Sequence, residues 1–163
     1  MDLKRCFVAG MSVVGLAAMA TGILWAVDHR SAEAHCQVPC GIYDDGARIK
    51  RLQEDAATIA KATKLIAELA GAHDAQSLNQ ATRWINTKEN HASHIIEVVS
   101  EYFLTQKVKA VTAGSPGYEV YLRKLADHHA VMVAAMKTKQ KVDPTVVDAL
   151  QHAIEQLATH YKK

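Results

Sequence analysis

One imidazole, two thiols, a proline and a glycine are gathered in the stretch His35-Cys36-Gln37-Val38-Pro39-Cys40-Gly41-Ile42-Tyr43. As the first residue of a processed chain, His35 offers an α-amine beside its imidazole, and Cys36 offers a thiolate and its own backbone nitrogen. Amine, amide nitrogen and thiolate of consecutive residues close five- and six-membered chelate rings around one ion. Cys40 returns a second thiolate after a short turn, in which Pro39 fixes φ and Gly41 frees the backbone just past it. Two nitrogens and two sulfurs in one plane suit Ni(II), and Cu(II) less well, with the imidazole in reach of an axial position. Zinc is a poorer match, because it prefers four tetrahedral side-chain ligands and only three are close. A thioredoxin-like thiol pair is disfavoured too: three residues separate the thiols rather than two, and no strand pattern surrounds them. The plain alternative is a small structural disulfide between Cys36 and Cys40, which an oxidising compartment favours. The adjacent histidine and the processing signal described next weigh against it.

The α-amine exists only if the chain is cut before His35. Lys4 and Arg5 form a basic start, residues 7–27 carry no charge, and Ala32-Glu33-Ala34 supplies an A-x-A site. Together these read as a secretory signal peptide over residues 1–34, with signal peptidase as the maturation partner. The uncharged run is also long enough to cross a bilayer, so a retained membrane anchor is the competing reading. Cleavage removes three basic residues (Lys4, Arg5, Arg30) and three acidic ones (Asp2, Asp28, Glu33), so the net charge stays at +2. That charge is small and scattered, with no basic block and no aromatic platform, and gives no reason to expect nucleic acid. Cys6 falls in the leader, which leaves both remaining cysteines in the opening stretch.

The elements that must carry this stretch are helices. Asp44 and Asp45 are candidate N-caps for a helix to about Ala70, with Ile49, Leu52, Ala56, Ile59, Thr63, Ile66 and Ala70 at alternating steps of three and four, and Gly71 at C′. A second helix is expected from near Ser77 to about Val111. Its stripe is Ala81, Ile85, Lys88, Ala92, Ile95, Val99 and Tyr102, widened by Trp84, Val98 and Phe103, with Lys88 as a polar interruption. Gly114-Ser115-Pro116-Gly117 breaks the pattern. A third helix, about Tyr118 to Gln140, places Tyr121, Leu125, His128, Met132 and Met136 on one side. A fourth opens at Asp143-Pro144, a cap followed by proline at the first helical position, with Val147, Leu150, Ile154, Leu157 and Tyr161 as its stripe. Short connections favour antiparallel neighbours, so the fold class is all-α, an antiparallel four-helix bundle. The domain reading is a leader over 1–34, a metal hook over 35–43 and the bundle over 44–163.

Other residues take plainer roles. His128 faces the bundle and His129 points outward, because neighbours on a helix lie about 100° apart. Met132 and Met136 are core filling rather than a thioether site. Arg48, Lys50 and Arg51 are a solvated face unless they ring the hook, where they would draw an anion inward.

The opening stretch closely resembles the nickel hook of nickel-dependent superoxide dismutases, whose pattern is His-Cys-x-x-Pro-Cys-Gly-x-Tyr at the mature N-terminus before a small four-helix bundle. Every fixed position matches, and Ala47-Arg48-Ile49 and Glu101-Tyr102-Phe103 extend the likeness into the bundle. The resemblance implies one nickel per chain, bound by the His35 amine, the Cys36 amide nitrogen and the Cys36 and Cys40 thiolates, with the His35 imidazole axial in the oxidised state. It implies disproportionation of superoxide to dioxygen and hydrogen peroxide by Ni(III)/Ni(II) cycling, with His35 and Tyr43 as catalytic residues, Tyr43 ordering the small anion. It implies a homohexamer as well. Two departures stand out: Gln37 replaces a position that is often acidic, and Lys50 stands where the family often has a glutamate directed at the axial imidazole. His91 or Glu54 is then the candidate to orient His35. The leader also departs from cytoplasmic relatives that use a dedicated protease, and implies an exported protein, periplasmic or extracellular.

Two further functions compete with this one. An exported nickel or copper carrier or sensor would use the same hook, exchange its metal within seconds and show negligible turnover. A membrane-tethered bundle with a disulfide at its neck would keep its N-terminus and bind no metal.

Overall fold

The computed structural model describes residues 43–161, so the leader and residues 35–42 of the hook lie outside the described residues. Four helices make up the described chain: α1 (Asp45–Leu69), α2 (Ala75–Glu97), α3 (Tyr118–Gln140) and α4 (Pro144–Ala158). A π-helical segment, Val98–Lys107, continues α2 without a break. No strand occurs among the described residues, and none of the described helices is long and apolar enough to cross a membrane.

Capping residues set the helix starts. Asp44 accepts from the Ala47 amide at 2.8 Å, Asp74 from the Ser77 amide at 2.9 Å, and Asp143 from the Thr145 amide at 2.9 Å, each satisfying an amide that the first turn leaves without a partner. Pro144 takes the first position of α4, where no amide hydrogen is needed. Asp74 starts α2 two residues ahead of the expected Ser77, whose hydroxyl binds back to the cap at 2.6 Å. At the far end of α1 the cap residue is Ala70, and Gly71 has no positive φ, so its expected left-handed role is not used. Gly117 does take a left-handed conformation (φ 89°), turning the chain into α3.

The pairing is antiparallel. Followed forward along α1, Asp45 meets Tyr102, Asp55 meets His91 and His94, and Lys61 lies over Trp84, so the partners run backward through α2 and its extension. Phe103 against His128 and Lys88 against Thr138 repeat the reversal between α2 and α3. The three-residue connection before α4 returns the chain along α3, and α4 also packs on α1, closing the ring. Leu52, Ile59, Ile95, Val99, Phe103, Val131, Leu150, Ile154 and Leu157 fill the centre with almost no exposure.

Two stripes are rotated from the expected ones. On α3 the buried positions are His128, Val131, Ala134, Ala135 and Thr138, whereas Met136 is 43 % exposed and Tyr121 and Leu125 are only partly covered. Small residues at 134 and 135 let α3 approach its neighbours closely, and the flexible methionines fall to the margin. On α2 the first turns contribute little: Ile85 is 43 % exposed and burial starts in earnest at Lys88. The Lys88 ammonium, 2 % exposed, donates to the carbonyls of Thr138 (2.5 Å) and Lys139 (3.0 Å) and to Glu89 Oε1 (3.1 Å). The polar interruption in the stripe is therefore a cation capping the C-terminal carbonyls of α3, where the helix dipole favours it.

The second helical run ends at Lys107, four residues before the expected Val111, and ends as a π-helix. Val108 N bonds to Phe103 O at 2.8 Å, and the side chains of Thr105 and Gln106 bond to the carbonyls of Ser100 and Glu101 at 2.7 and 3.0 Å, all at five-residue separation. The wider turn directs both Tyr102 and Phe103 into the core, which an α-helical stripe would not do for long. Long π segments are rare and concentrate at functional sites.

Candidate metal centre

The hook ligands His35, Cys36 and Cys40 lie outside the described residues, and Tyr43, its last residue, is where the described chain begins. Tyr43 sits at the end of the bundle where α1 begins and where the π segment and α4 finish. A cleft of about 700 Å³ opens there, lined by Tyr43, Asp44, Asp45, Gly46, Lys107, His160 and Tyr161.

The wall is tied together by long-range pairs. The Lys107 ammonium lies 4.4 Å from the Tyr43 ring centroid and 3.3 Å from Asp45 Oδ2, so one cation serves a ring face and a carboxylate. The other Asp45 oxygen accepts from the Tyr102 hydroxyl at 2.7 Å. Tyr43 and Tyr102 meet edge to face with centroids 6.0 Å apart, and Arg48 lies 5.0 Å over Tyr102. Burial, then the Asp45 hydrogen bond, pushes the Tyr102 phenol up, so it stays protonated and keeps donating.

Behind this layer lies Phe103, fully buried, its ring 5.0 Å from Tyr102, 4.6 Å from Tyr161 and 5.7 Å from His128. His128, with no exposure, has Nδ1 2.6 Å from the Lys124 carbonyl and Nε2 2.8 Å from the Tyr161 hydroxyl. A carbonyl only accepts, so Nδ1 carries the hydrogen and Nε2 accepts from Tyr161. Burial pushes the His128 imidazole down, consistent with this neutral form. Burial also raises the Tyr161 phenol. His160, on the cleft wall, is held by Asp127 at 2.6 Å.

Among the sequence-derived candidates, Tyr43 and Arg48 come together here. The expected orienters of His35 do not line the cleft: His91 is bound through Nδ1 to Asp55 at 2.6 Å, and Glu54 pairs with Arg51 at 3.5 Å. Arg51 is likewise engaged farther along α1, and Lys50 is exposed. The cation at Tyr43 is instead Lys107, which composition alone did not distinguish from other surface lysines. Its signal was the position, five residues beyond Tyr102 at the close of the apolar run. Among the described residues, no group of three or more histidine, cysteine or acidic side chains is arranged to hold a metal ion.

The family model of nickel-containing superoxide dismutase matches residues 30–163. No curated protein and no solved structure matches the chain.

Proposed function

The chain belongs to the nickel-containing superoxide dismutase family, and from that membership we propose where its metal is held and how the chain is made ready for it. The activity is that of the family: two superoxide anions and two protons give one dioxygen and one hydrogen peroxide, with nickel as the cofactor. Nickel, when bound, supplies the one-electron couple that this reaction needs.

The ligands are the His35 amine and imidazole, the Cys36 amide nitrogen and thiolate, and the Cys40 thiolate, created by cutting the Ala34–His35 bond. The supporting observation is the cleft at Tyr43. The residue that closes the hook motif sits on the wall of a cleft of about 700 Å³, under a lysine ammonium and against a second tyrosine. Lys107 sets an ammonium on this wall, partly offset by Asp45, and that cation draws in a small anion. Tyr43 carries a phenol on this cleft wall and orders the anion and its water. Tyr102 holds Asp45, and through it Lys107, in place. An A-x-A leader cut by signal peptidase makes this an exported protein, periplasmic or extracellular, and the assembly is a homohexamer.

N-terminal mass determination on protein from its native host, with nickel quantified per chain, tests the proposal. A mature chain starting at His35 with one nickel is the expected result, and Cys36→Ser or Cys40→Ser removes both nickel and turnover. An N-terminus elsewhere, or nickel retained by the serine variants, overturns the ligand assignment.

A further inference from the structure

A second cluster of chemistry-bearing side chains lies between α1 and α2, outside the Tyr43 cleft. Asp55 is 1 % exposed, yet each of its carboxylate oxygens meets a different imidazole: Oδ1 is 2.6 Å from His91 Nδ1, and Oδ2 is 2.6 Å from His94 Nδ1. As a carboxylate Asp55 only accepts, so both Nδ1 atoms donate, and in the neutral rings both Nε2 atoms carry a lone pair. The side chains of His91 and His94 are 28 % and 38 % exposed while the acid behind them is not. Each ring thus spans from a buried anion to solvent.

We propose that His91 and His94 form a binding site for a borderline divalent cation such as Cu²⁺, Zn²⁺ or Ni²⁺, with Asp55 as the buried residue that positions both ligands. The two histidines stand three residues apart on one helix, so they rise from the same face. Ligands at that spacing are used in helical-bundle metal sites. A carboxylate behind a metal-binding imidazole fixes the tautomer, holds the ring and raises the basicity of the distal nitrogen. Imidazole nitrogen selects copper, zinc or nickel over magnesium or calcium. Clamping α1 to α2 needs only one of the two histidine contacts. The second adds a nitrogen on the same face.

The site is an open one. No third ligand is arranged beside the pair among the described residues, so the ion keeps water molecules and exchanges readily. The charges around it are Arg51, whose Nε is 3.8 Å from Asp55 Oδ1, and Glu54, which pairs with the Arg51 guanidinium at 3.5 Å. Arg51 is shared between Glu54 and Asp55, so one cation faces two carboxylates and the surroundings of the imidazoles stay net negative. This inference stands independently of the hook.

The test uses the full chain carrying Cys6→Ser, Cys36→Ser and Cys40→Ser, so that no thiolate competes, titrated with Cu²⁺ alone. The expected result is one bound equivalent whose paramagnetic resonance spectrum carries splitting from two imidazole nitrogens. Adding His91→Ala and His94→Ala together removes that equivalent, and Asp55→Asn weakens it about 10- to 100-fold. Should Asp55→Asn fail to fold, His94→Gln serves in its place and leaves one nitrogen in the spectrum. Undiminished binding by the double histidine variant, or no bound equivalent in the cysteine-free chain, overturns the site.

Discussion

The two ends of the bundle are built from different materials. At the end where α1 begins stand Tyr43, Tyr102, Tyr161 and Phe103, joined by Asp45, Lys107, His128 and His160. At the opposite end, where α1 finishes and α4 starts, a groove of about 390 Å³ is lined by Ala60, Thr63, Lys64, Ala67, Glu68, Val142, Pro144, Val147 and Asp148. The second end is held mainly by aliphatic and alanine contacts, with the Lys88 ammonium on the last carbonyls of α3 as its long-range polar tie. The first is held by many ring contacts and hydrogen bonds between residues distant in the chain, and it is the end that carries Tyr43. Packing alone makes a helix pair. Placing a cleft wall takes directional contacts, and those are more numerous at the Tyr43 end.

The sharpest way to probe this contrast is one cavity at each end. Phe103→Ala removes the ring that touches Tyr102, His128 and Tyr161, and is expected to cost about 3–5 kcal/mol in urea unfolding. It should also lower nickel retention of the mature protein. Ile66→Ala at the other end is expected to cost about 2–3 kcal/mol, because Ile66 keeps a little exposure, and to leave nickel content per folded chain unchanged. Equal losses of nickel in both variants would erase the distinction between the ends.

Next in size is Lys88→Met, which strips the carbonyls of Thr138 and Lys139 of their ammonium donor. Hydrogen bonds to a charged group set the expected loss at about 2 kcal/mol, read from the same unfolding experiment. A loss near zero would mean that the methionine packs well enough to replace the cap.

His128 gives a pH signature. Its pKa is lowered in the folded protein by burial, so between the folded value and the unfolded one near 6.5 the unfolded chain binds more protons. Its contribution to stability is therefore present above that unfolded value and lost as pH falls toward the folded pKa, at a slope of at most about 1.4 kcal/mol per pH unit. The wild type should lose stability over this window faster than His128→Gln, which cannot titrate there. Parallel curves would show that the neutral His128–Tyr161 pair is not what burial makes it.

How much of this was legible in the sequence follows the same division. Helix starts at Asp44 and Asp143, the span of α3 and the α4 stripe from Val147 to Leu157 rest on local signals, a cap or a period, and all are present; Tyr161, expected to extend that stripe, lies past the helix end and is only partly buried. The α3 stripe was misjudged because methionine and alanine both satisfy an apolar period, and only packing against α2 decides that Ala134 and Ala135 go inward while Met136 stays out. Lys88 read as a flaw in α2 because its partners are carbonyls some fifty residues away. The π segment has no period of its own in the reading of α-helices, so its inward pair Tyr102 and Phe103 registered only as a widened stripe. The family was legible from the hook motif, while residues 35–42 themselves lie outside the described residues. The wall around Tyr43 was not, since Lys107, Asp45 and Tyr161 meet it through the fold.

The smallest effect tests that wall most finely. Tyr102→Phe keeps the ring against Tyr43 and Phe103 but removes the hydroxyl that donates to Asp45 at 2.7 Å. Asp45 retains Lys107 at 3.3 Å, so the carboxylate is not abandoned, and the expected cost is about 1 kcal/mol. Released on one side, Asp45 draws Lys107 more strongly, and the ammonium moves off the Tyr43 face that it covers at 4.4 Å. Turnover should therefore become less sensitive to added salt in Tyr102→Phe than in the wild type, because the cation at the mouth is more fully neutralised. Lys107→Met should remove the same share of the salt dependence outright. If the two variants differ, with Lys107→Met flattening the salt profile and Tyr102→Phe leaving it as in the wild type, then Asp45 holds its lysine without help from the tyrosine.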